Sequence, residues 1–277
     1  MSKRIFLKSM ATAVVALAAV SAFAQSGQDA LERVKKAGVL KVGTETAFAP
    51  FDFIDKGEHV GFNVDMYHEI AKEMGVKLEW VLLPWEGVFP GLESGKFDIV
   101  AGPATVTKER MLRYRFTPPI ADSTVALLKR KGDSSVMKAS DVGGKAVGVG
   151  KASAQLTQIK AYSETLATKV DVREYPGNNE AYADLAAGRI AAVCNSLTNI
   201  AFVAQQRPDT FEVVLPPFGV KAYSAFVGRK DADYAKLMDA VQATMLKIKG
   251  DGRMAAMQKK WFGQAFDTPD MVNTPNL

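Results

Sequence analysis

The sequence has few of the residues on which much enzyme chemistry depends. It contains one cysteine, Cys194, and two histidines, His59 and His68. A single cysteine excludes an internal disulfide, so the fold must be stabilised by its hydrophobic core. Within "IAAVCNS" we expect this cysteine to be a small buried side chain, with a reactive thiol as the alternative. The histidines form no Glu-flanked pair at helical spacing, which argues against a zinc site.

Motifs of nucleotide-binding proteins and serine hydrolases are also missing. The predicted strand-to-helix turn "GVGKASAQ", residues 148–155, does not match a phosphate-binding loop. Lys145, just before it, stands where that loop needs Gly, and Ala152 stands where it needs Ser or Thr. Ser153 replaces the third glycine of a dinucleotide-binding fingerprint. No Gly-x-Ser-x-Gly segment occurs, and no spacing of carboxylates indicates an acid/base pair. We therefore predict no catalytic residue, no cofactor and no metal.

The chain has almost no excess of charge of one sign once residues 1–24 are set aside. These residues have a basic start, an apolar stretch and the small residues "AFA", a pattern that predicts a signal peptide cleaved after Ala24. The apolar stretch is short for a membrane anchor. Removing these residues takes away three of the 35 basic side chains and none of the 30 acidic ones, which leaves a net charge of +2. The sequence pI of about 9.1 therefore gives little support to nucleic-acid binding.

Alternating strand and helix patterns occur in two successive blocks. The first block contains "VLKVGTE", "NVDMYHEIAKEMG", "VKLEWVLL", "PWEGVFPGLESG" and "FDIVAG", and we expect Asn63 to cap its main helix. The second block runs from "TVALLKRK" through the strands "FEVVLPPF" and "YSAFVGRK" to a helical C-terminal end, with Ser153 and either Asn178 or Asn179 as helix caps. Such alternation predicts parallel sheets with right-handed crossovers. The 277 residues are enough for two doubly wound α/β lobes.

Ligands of open α/β sheets bind beyond the C-terminal ends of the strands. The loops at those positions are "TETAFAP", "PWEG", "AGPATVTKER", "GVGKASA" and "CNSLTN". In the third, the guanidinium of Arg110 matches a carboxylate in two-point contact, and Thr105 could donate to the same anion. On spacing alone, a surface arginine after a turn capped by Thr107 is the stronger interpretation. Phe48 and Trp85 are either ligand-stacking side chains or core residues.

Six segments in this order resemble the periplasmic solute-binding proteins of polar amino-acid ABC transporters. They are "VGTETAFAPFDF", "GFNVDMYHEIAKEMG", "PWEGVFPGLESGKFDIVAGPATVTKER", "FTPPI", "GKAVGVGKASA" and "LAAGRIAAV", behind a signal peptide. The resemblance implies two α/β lobes joined by two hinge strands, with ligand caught in the cleft as the lobes close. It places residues 25–121 and 222–277 in lobe 1 and residues 122–221 in lobe 2. The residues alone would predict two lobes in series.

The same resemblance implies roles for individual residues in binding an α-carboxylate. Arg110 matches the arginine that grips this group, and Thr105 and the backbone at Gly102 match its helpers. Ser153 and Ala154 fall at the start of the helix with which the second lobe binds the carboxylate. A helix N-terminus suits an anion because its backbone N–H groups are free.

The remaining matches concern the rest of the ligand. Phe48 and Trp85 fall where side chains sandwich the ligand, and Glu45 falls where some members hold an acidic residue. Ser196 stands where the family usually has an Asp that binds the α-ammonium. An ammonium without a carboxylate partner would lose much of its stabilisation in a closed cleft. Either Glu45 supplies the missing charge, or the ligand has no ordinary α-amino group.

The implied function is that of a periplasmic substrate-binding component of an ABC importer, which is not an enzyme. It would capture a small carboxylate, most simply an amino acid, and present it to a membrane permease as a monomer. The alternative is an enzyme on the same scaffold that resembles cyclohexadienyl dehydratases, with Glu45 as general acid. A sensor or partner-binding module is a third, weaker interpretation.

Overall fold

The structure is a computed structural model that describes residues 29–277, so the predicted signal peptide lies outside the described residues. Two α/β lobes make up this part of the chain, each built on its own sheet. The elements before the second sheet are α1 (Ala30–Ala37), β1 (Val39–Thr44), β2 (Ala47–Phe48), β3 (Asp52–Asp55), β4 (Glu58–Val60), α2 (Phe62–Met74), β5 (Lys77–Leu82), α3 (Trp85–Glu93), β6 (Ile99–Thr105), α4 (Lys108–Arg113), β7 (Tyr114–Phe116) and β8 (Ala121–Asp122).

The second sheet and the return of the chain account for the remaining elements. They are β9 (Val125–Arg130), a 3-10 turn (Ala139–Val142), β10 (Ala146–Gly150), α5 (Ala154–Glu164), β11 (Asp171–Tyr175), α6 (Asn178–Ala186), β12 (Ala192–Ser196), α7 (Leu197–Gln206), β13 (Phe211–Val214), β14 (Tyr223–Arg229), a second 3-10 turn (Ala232–Tyr234), α8 (Ala235–Gly250) and α9 (Arg253–Phe262).

Each sheet combines a parallel part with antiparallel strands. The first has the order β5-β1-β6-β14-β7 with β8 also on β14, and the second has the order β11-β10-β12-β9-β13. The predicted parallel pairing is found for β1 with β5 and β6, and for β10 with β11 and β12. β9 and β14 run antiparallel to their neighbours. Each of these two strands enters its sheet directly from the other lobe. Parallel pairing would require a crossover connection, usually a helix, and these strands have none.

Strand β14 returns the chain to the first sheet, where it lies between β6 and β7. Tyr223 and Ser224 of this strand pair with Asp122 and Ala121 of β8. The two connections between the lobes therefore lie side by side as hinge strands. From the residues alone we predicted two lobes in series, which is wrong, because β14 follows the second sheet in sequence but completes the first.

The lobes have separate hydrophobic cores on both faces of each sheet. Helices α2 and α8 cover one face of the first sheet, where Met66, Ile70 and Val241 are buried. In the second lobe, Cys194 is 1% exposed and belongs to the core around α5. Burial raises the pKa of its thiol well above the usual range, so the interpretation as a small core side chain is confirmed.

Helix ends follow local sequence signals where a short polar side chain is free to cap. Ser153 accepts from the N–H of Leu156 at 3.1 Å, and Thr107 accepts from the N–H of Arg110 at 3.2 Å. Gly38 ends α1 with φ of 66°, a left-handed conformation that glycine adopts without a steric penalty.

Two predicted asparagine caps are wrong. Helix α6 begins after Gly177, so the alternative cap Asn179 lies inside it. Helix α2 begins after Gly61, and Asn63 and Asn178 lie inside their helices too. Both side chains are buried, and each hydrogen-bonds to a distant part of the chain; Asn63 donates to the carbonyl oxygen of Ala101 at 2.7 Å. A buried amide must find partners, and tertiary partners here replace the expected cap.

Residues 47–60 form a small three-stranded antiparallel sheet, β2-β3-β4, which the sequence patterns did not predict. It begins beside the cleft, because Ala47 and Ala49 contact the second lobe through their carbonyl oxygens. Within residues 29–277, no helix is both long and apolar enough to cross a membrane.

Candidate functional site

A cavity lies between the two lobes, with about 30 Å³ of room for water-sized molecules. Both lobes contribute side chains to its wall, and the first sheet and second sheet meet it at the ends of their strands. The residues of the wall are Glu45, Phe48, Trp85, Pro103, Thr105, Arg110, Gly150, Lys151, Ser153, Gln155, Pro176, Gly177, Asn178, Cys194 and Asn195. Six of the nine predicted site residues are among them: Glu45, Phe48, Trp85, Thr105, Arg110 and Ser153.

Arg110 is the cation of the first-lobe wall. It lies in α4, and its guanidinium donates to the carbonyl oxygens of Thr105 at 3.1 Å and of Ala152 at 3.4 Å. The guanidinium also lies over the ring of Phe89, 4.8 Å from its centroid. Burial lowers the pKa of Arg110 to about 10, which leaves it charged at neutral pH. Among residues 29–277 no carboxylate forms an ion pair with it.

Glu45 is the acid of the same wall. It follows β1, and only 7% of the residue is exposed. Burial, with a smaller effect from the negative charge of Asp52, raises the pKa of Glu45 to about 8. Its carboxylate has no hydrogen bond or ion pair to another of the described residues. The first-lobe wall therefore presents one buried positive group and one buried acidic group, neither of which has an opposite charge as a partner.

Asp52 is held behind Glu45 by a polar cluster. Its carboxylate lies 3.1 Å from Nε2 of His59 and accepts from the amide of Asn63. Burial raises the pKa of Asp52, although the hydrogen bonds from His59 and Asn63 oppose this. Such bonds stabilise the charged form of a buried acid, and a charged Asp52 makes ionisation of Glu45 less favourable. His68, in contrast, is exposed.

Two aromatic side chains line the cavity on the first lobe. Phe48 is buried and stacks on Phe51, with ring centroids 5.5 Å apart. The indole N–H of Trp85 donates across the cleft to the carbonyl oxygen of Ala152 at 3.4 Å. A Cβ added at Gly102 would come within 2.7 Å of the Trp85 ring. The absence of a side chain at Gly102 therefore leaves room for this ring. Gly102 is not itself part of the cavity wall.

The second-lobe wall is built from neutral groups and one lysine. The hydroxyl of Ser153 donates to the carbonyl oxygen of Gly150 at 2.7 Å while it caps α5. Gln155, Asn178 and Asn195 add side-chain amides. None of these three was predicted from the sequence as a site residue. Asn178 and Asn195 lie where β11 ends and near the end of β12, so the rule about strand ends could have found both.

Two further predicted site residues lie outside this cavity wall. Ala154 lines a neighbouring, larger cavity between α4 and α5. Ser196 is 2% exposed, and its hydroxyl oxygen is buried without a hydrogen-bond partner. The residue before it, Asn195, lies in the wall instead. Within the described part of the chain, no group of three or more His, Cys, Asp or Glu side chains is placed to hold a metal ion.

Two α/β lobes that close on a polar cavity from both sides define a two-lobed ligand-binding protein. Residues 40–264 match the model of the bacterial extracellular solute-binding proteins, family 3, and the chain belongs to that family. The L-cystine-binding protein TcyJ of Escherichia coli (strain K12) is 32% identical over 256 residues, which are 92% of this chain and 93% of that protein.

Solved structures show the same architecture. An ancestral arginine-binding protein bound to arginine is 32% identical with a TM-score of 0.74, and the match covers 82% of this chain and 99% of that one. An ancestral amino-acid-binding protein described as a precursor of cyclohexadienyl dehydratase is 30% identical, again with a TM-score of 0.74, over 84% of this chain and 99% of that one. The predicted family and two-lobe fold are thereby confirmed.

Proposed function

We propose that this protein captures an amino acid between its lobes and delivers it to the membrane permease of an ABC importer. The observation that carries the proposal is the pair of unpartnered groups in the cavity wall, the Arg110 guanidinium and the Glu45 carboxyl group. A zwitterion brings a carboxylate, which can pair with Arg110, and an ammonium, which can pair with Glu45. Desolvating a charge is costly unless it finds such a partner.

The carboxylate of the ligand is assigned to Arg110. This side chain is held in α4, with Thr105 beside it and the N-terminus of α5 facing it across the cleft. A guanidinium binds a carboxylate in two-point contact, and the free N–H groups at a helix start favour an anion. Ser153 orders this helix start through its cap, and Gly102 contributes by giving Trp85 its position.

The ammonium of the ligand is assigned to Glu45, as the first of the two alternatives raised by the missing Asp. Ser196 does not reach the cavity wall, and the side chain of Asn195 there carries no charge. Glu45 is an acid of the opposite wall that is free to accept a cation. Phe48 and Trp85 add apolar surface on either side of the ligand.

The wider biological context of the proposal comes from the family and from residues 1–24. A secretory signal would bring the chain to the periplasm, and a monomer would suffice, since one chain supplies the whole cavity wall. We place the lobe boundaries at residues 121/122 and 221/222. The pairing of Asp122 with Tyr223 at the hinge supports these positions.

A ligand screen tests the proposal. A ligand that binds only the folded protein raises its apparent stability, so thermal unfolding with each amino acid, cystine and simple carboxylates identifies the ligand class. Calorimetry then gives affinity and stoichiometry for each hit. Binding of one zwitterion per chain supports the proposal. Equal stabilisation by carboxylates that lack an amino group would contradict the assignment of Glu45.

One observation favours a second candidate, a dehydratase. With a pKa of about 8, Glu45 holds a proton at neutral pH, which is what a general acid needs. Incubation with prephenate or arogenate, followed by detection of the aromatic product, separates an enzyme from a binding protein. We expect no product, because the family to which the chain belongs consists of solute-binding proteins.

A further inference from the structure

We propose that a buried polar network in the second lobe couples contact with the ligand to closure of the lobes. The network consists of Asn178, Tyr182, Asn195 and Asn199, of which the asparagines at 178 and 195 line the cavity. All four residues are at most 8% exposed. The inference rests on the proposed function in one respect, that closure is what retains the ligand.

The network starts at Asn195, whose amide has only one possible orientation. Its Oδ1 accepts from the backbone N–H of Ser196 at 2.8 Å. Its Nδ2 therefore points the other way and donates to Oδ1 of Asn178 at 3.0 Å and to the hydroxyl of Tyr182 at 3.3 Å. Because a backbone N–H can only donate, this first link fixes the direction of every later one.

Two branches lead from Asn195 to the first lobe. In one, Asn178 accepts with Oδ1 and donates with Nδ2 to the carbonyl oxygen of Ala47 at 3.3 Å. In the other, the hydroxyl of Tyr182 donates to Oδ1 of Asn199, and Nδ2 of Asn199 donates to the carbonyl oxygen of Ala49. Both branches end on the backbone carbonyl groups of Ala47 and Ala49, on either side of Phe48 in the segment that follows Glu45.

The donor and acceptor inventory shows what the network offers the ligand. Both amide hydrogens of Asn195 are used within the protein, and its Oδ1 keeps one lone pair. This residue can therefore accept from a ligand N–H but cannot donate to it. A ligand that occupies this lone pair adds a further hydrogen bond to the Asn195 amide, whose Nδ2 orients Asn178 and Tyr182 toward the first lobe.

Tyr182→Phe is the most informative variant, since Tyr182 does not line the cavity and only its hydroxyl is lost. We expect a smaller closed fraction in small-angle scattering, without ligand and with it, and about tenfold weaker binding of the probes L-cystine and L-arginine. Tyr175→Phe is the matched control. It removes a hydroxyl that donates to Asp184 at 2.7 Å within the same lobe, and neither readout should change.

A double-mutant cycle tests whether Tyr182 and Asn199 act in one branch. If they do, Tyr182→Phe combined with Asn199→Ala lowers the closed fraction little more than either change alone. The inference is overturned if the two changes are additive, or if the closed fraction of Tyr182→Phe equals that of Tyr175→Phe. Scattering needs no ligand, so this result stands even if neither amino acid binds and the proposed function fails.

Discussion

The two walls of the cleft differ in how they offer polar groups to a ligand. The first-lobe wall carries buried ionisable groups without partners, Arg110 and Glu45. The second-lobe wall offers mainly neutral groups, the amides of Asn178 and Asn195 among them, and these are already hydrogen-bonded to one another. Buried ionisable groups are therefore concentrated on one lobe and hydrogen-bond geometry on the other.

This difference implies an order of events in binding. The charge of Arg110 acts over a longer distance than hydrogen bonds do, so the carboxylate of a zwitterion entering an open cleft meets its strongest partner on the first lobe. The second lobe adds directional contacts only after it has closed. The ligand shifts the equilibrium toward the closed form by as much as these later contacts favour that form.

The largest expected effect comes from removing the cation of the first-lobe wall. Arg110→Ala should weaken binding of the identified amino acid by about 2–5 kcal/mol, because a carboxylate would be buried without its partner. Calorimetry measures the loss. Arg113→Ala, in the same helix, is the matched control: Arg113 is 63% exposed and forms a surface ion pair with Glu93. Equal affinities for the two variants would show that the carboxylate binds elsewhere.

Next in size is the pH dependence that Glu45 confers. The raised pKa of about 8 means that free Glu45 is mostly protonated at neutral pH, whereas a bound ammonium favours the ionised form and lowers this pKa. Binding should therefore release a proton below pH 8, and affinity should rise with pH up to about 8, by at most about tenfold per unit. Calorimetry in buffers of different ionisation enthalpy detects the proton.

Glu45→Gln is the control for this pH dependence and has a readout without ligand. The folded protein holds the Glu45 proton at pH values where the unfolded chain has lost it. The wild type therefore loses stability as pH rises from the ordinary pKa of Glu toward 8. The variant lacks this contribution, so its free energy of unfolding relative to wild type should increase over the same range. A constant difference would contradict the raised pKa.

The smallest expected effect separates the two helix caps at the cleft. Thr107→Ala and Ser153→Ala should each destabilise the protein by about 0.5–2 kcal/mol, as loss of a cap does. Chemical denaturation measures both. Thr107 caps the helix that carries Arg110, so its loss should also weaken ligand binding more than the loss of Ser153. The reverse order would place the main carboxylate contact on the second lobe.

Much of the architecture could be predicted from local signals in the sequence. Strand and helix periodicity gave the elements of both sheets, and free polar residues at helix starts gave the caps at Ser153 and Thr107. The buried asparagines were misassigned because Asn63 and Asn178 carry the same local signal as a cap. Only the tertiary partners, such as the carbonyl group of Ala101 for Asn63, distinguish the two roles.

The position of the missing Asp shows a second limit of prediction from the sequence. Of the neighbouring residues Asn195 and Ser196 at the end of β12, only Asn195 lies in the cavity wall. In a strand with one polar face, alternation would reveal which residue does. All five residues of β12 are buried, as is usual for a strand covered on both faces, and the pattern therefore carries no such information.

The place of β14 in the first sheet also determines the order in which the lobes can be completed. β14 lies between β6 and β7, and both β7 and β8 pair with it. Every strand of the second sheet precedes it along the chain. During synthesis, the second lobe has all its strands while the first still lacks an interior one. Lobe 1 therefore begins first along the chain but is completed last. The half of the binding site that contains Arg110 and Glu45 is completed with it.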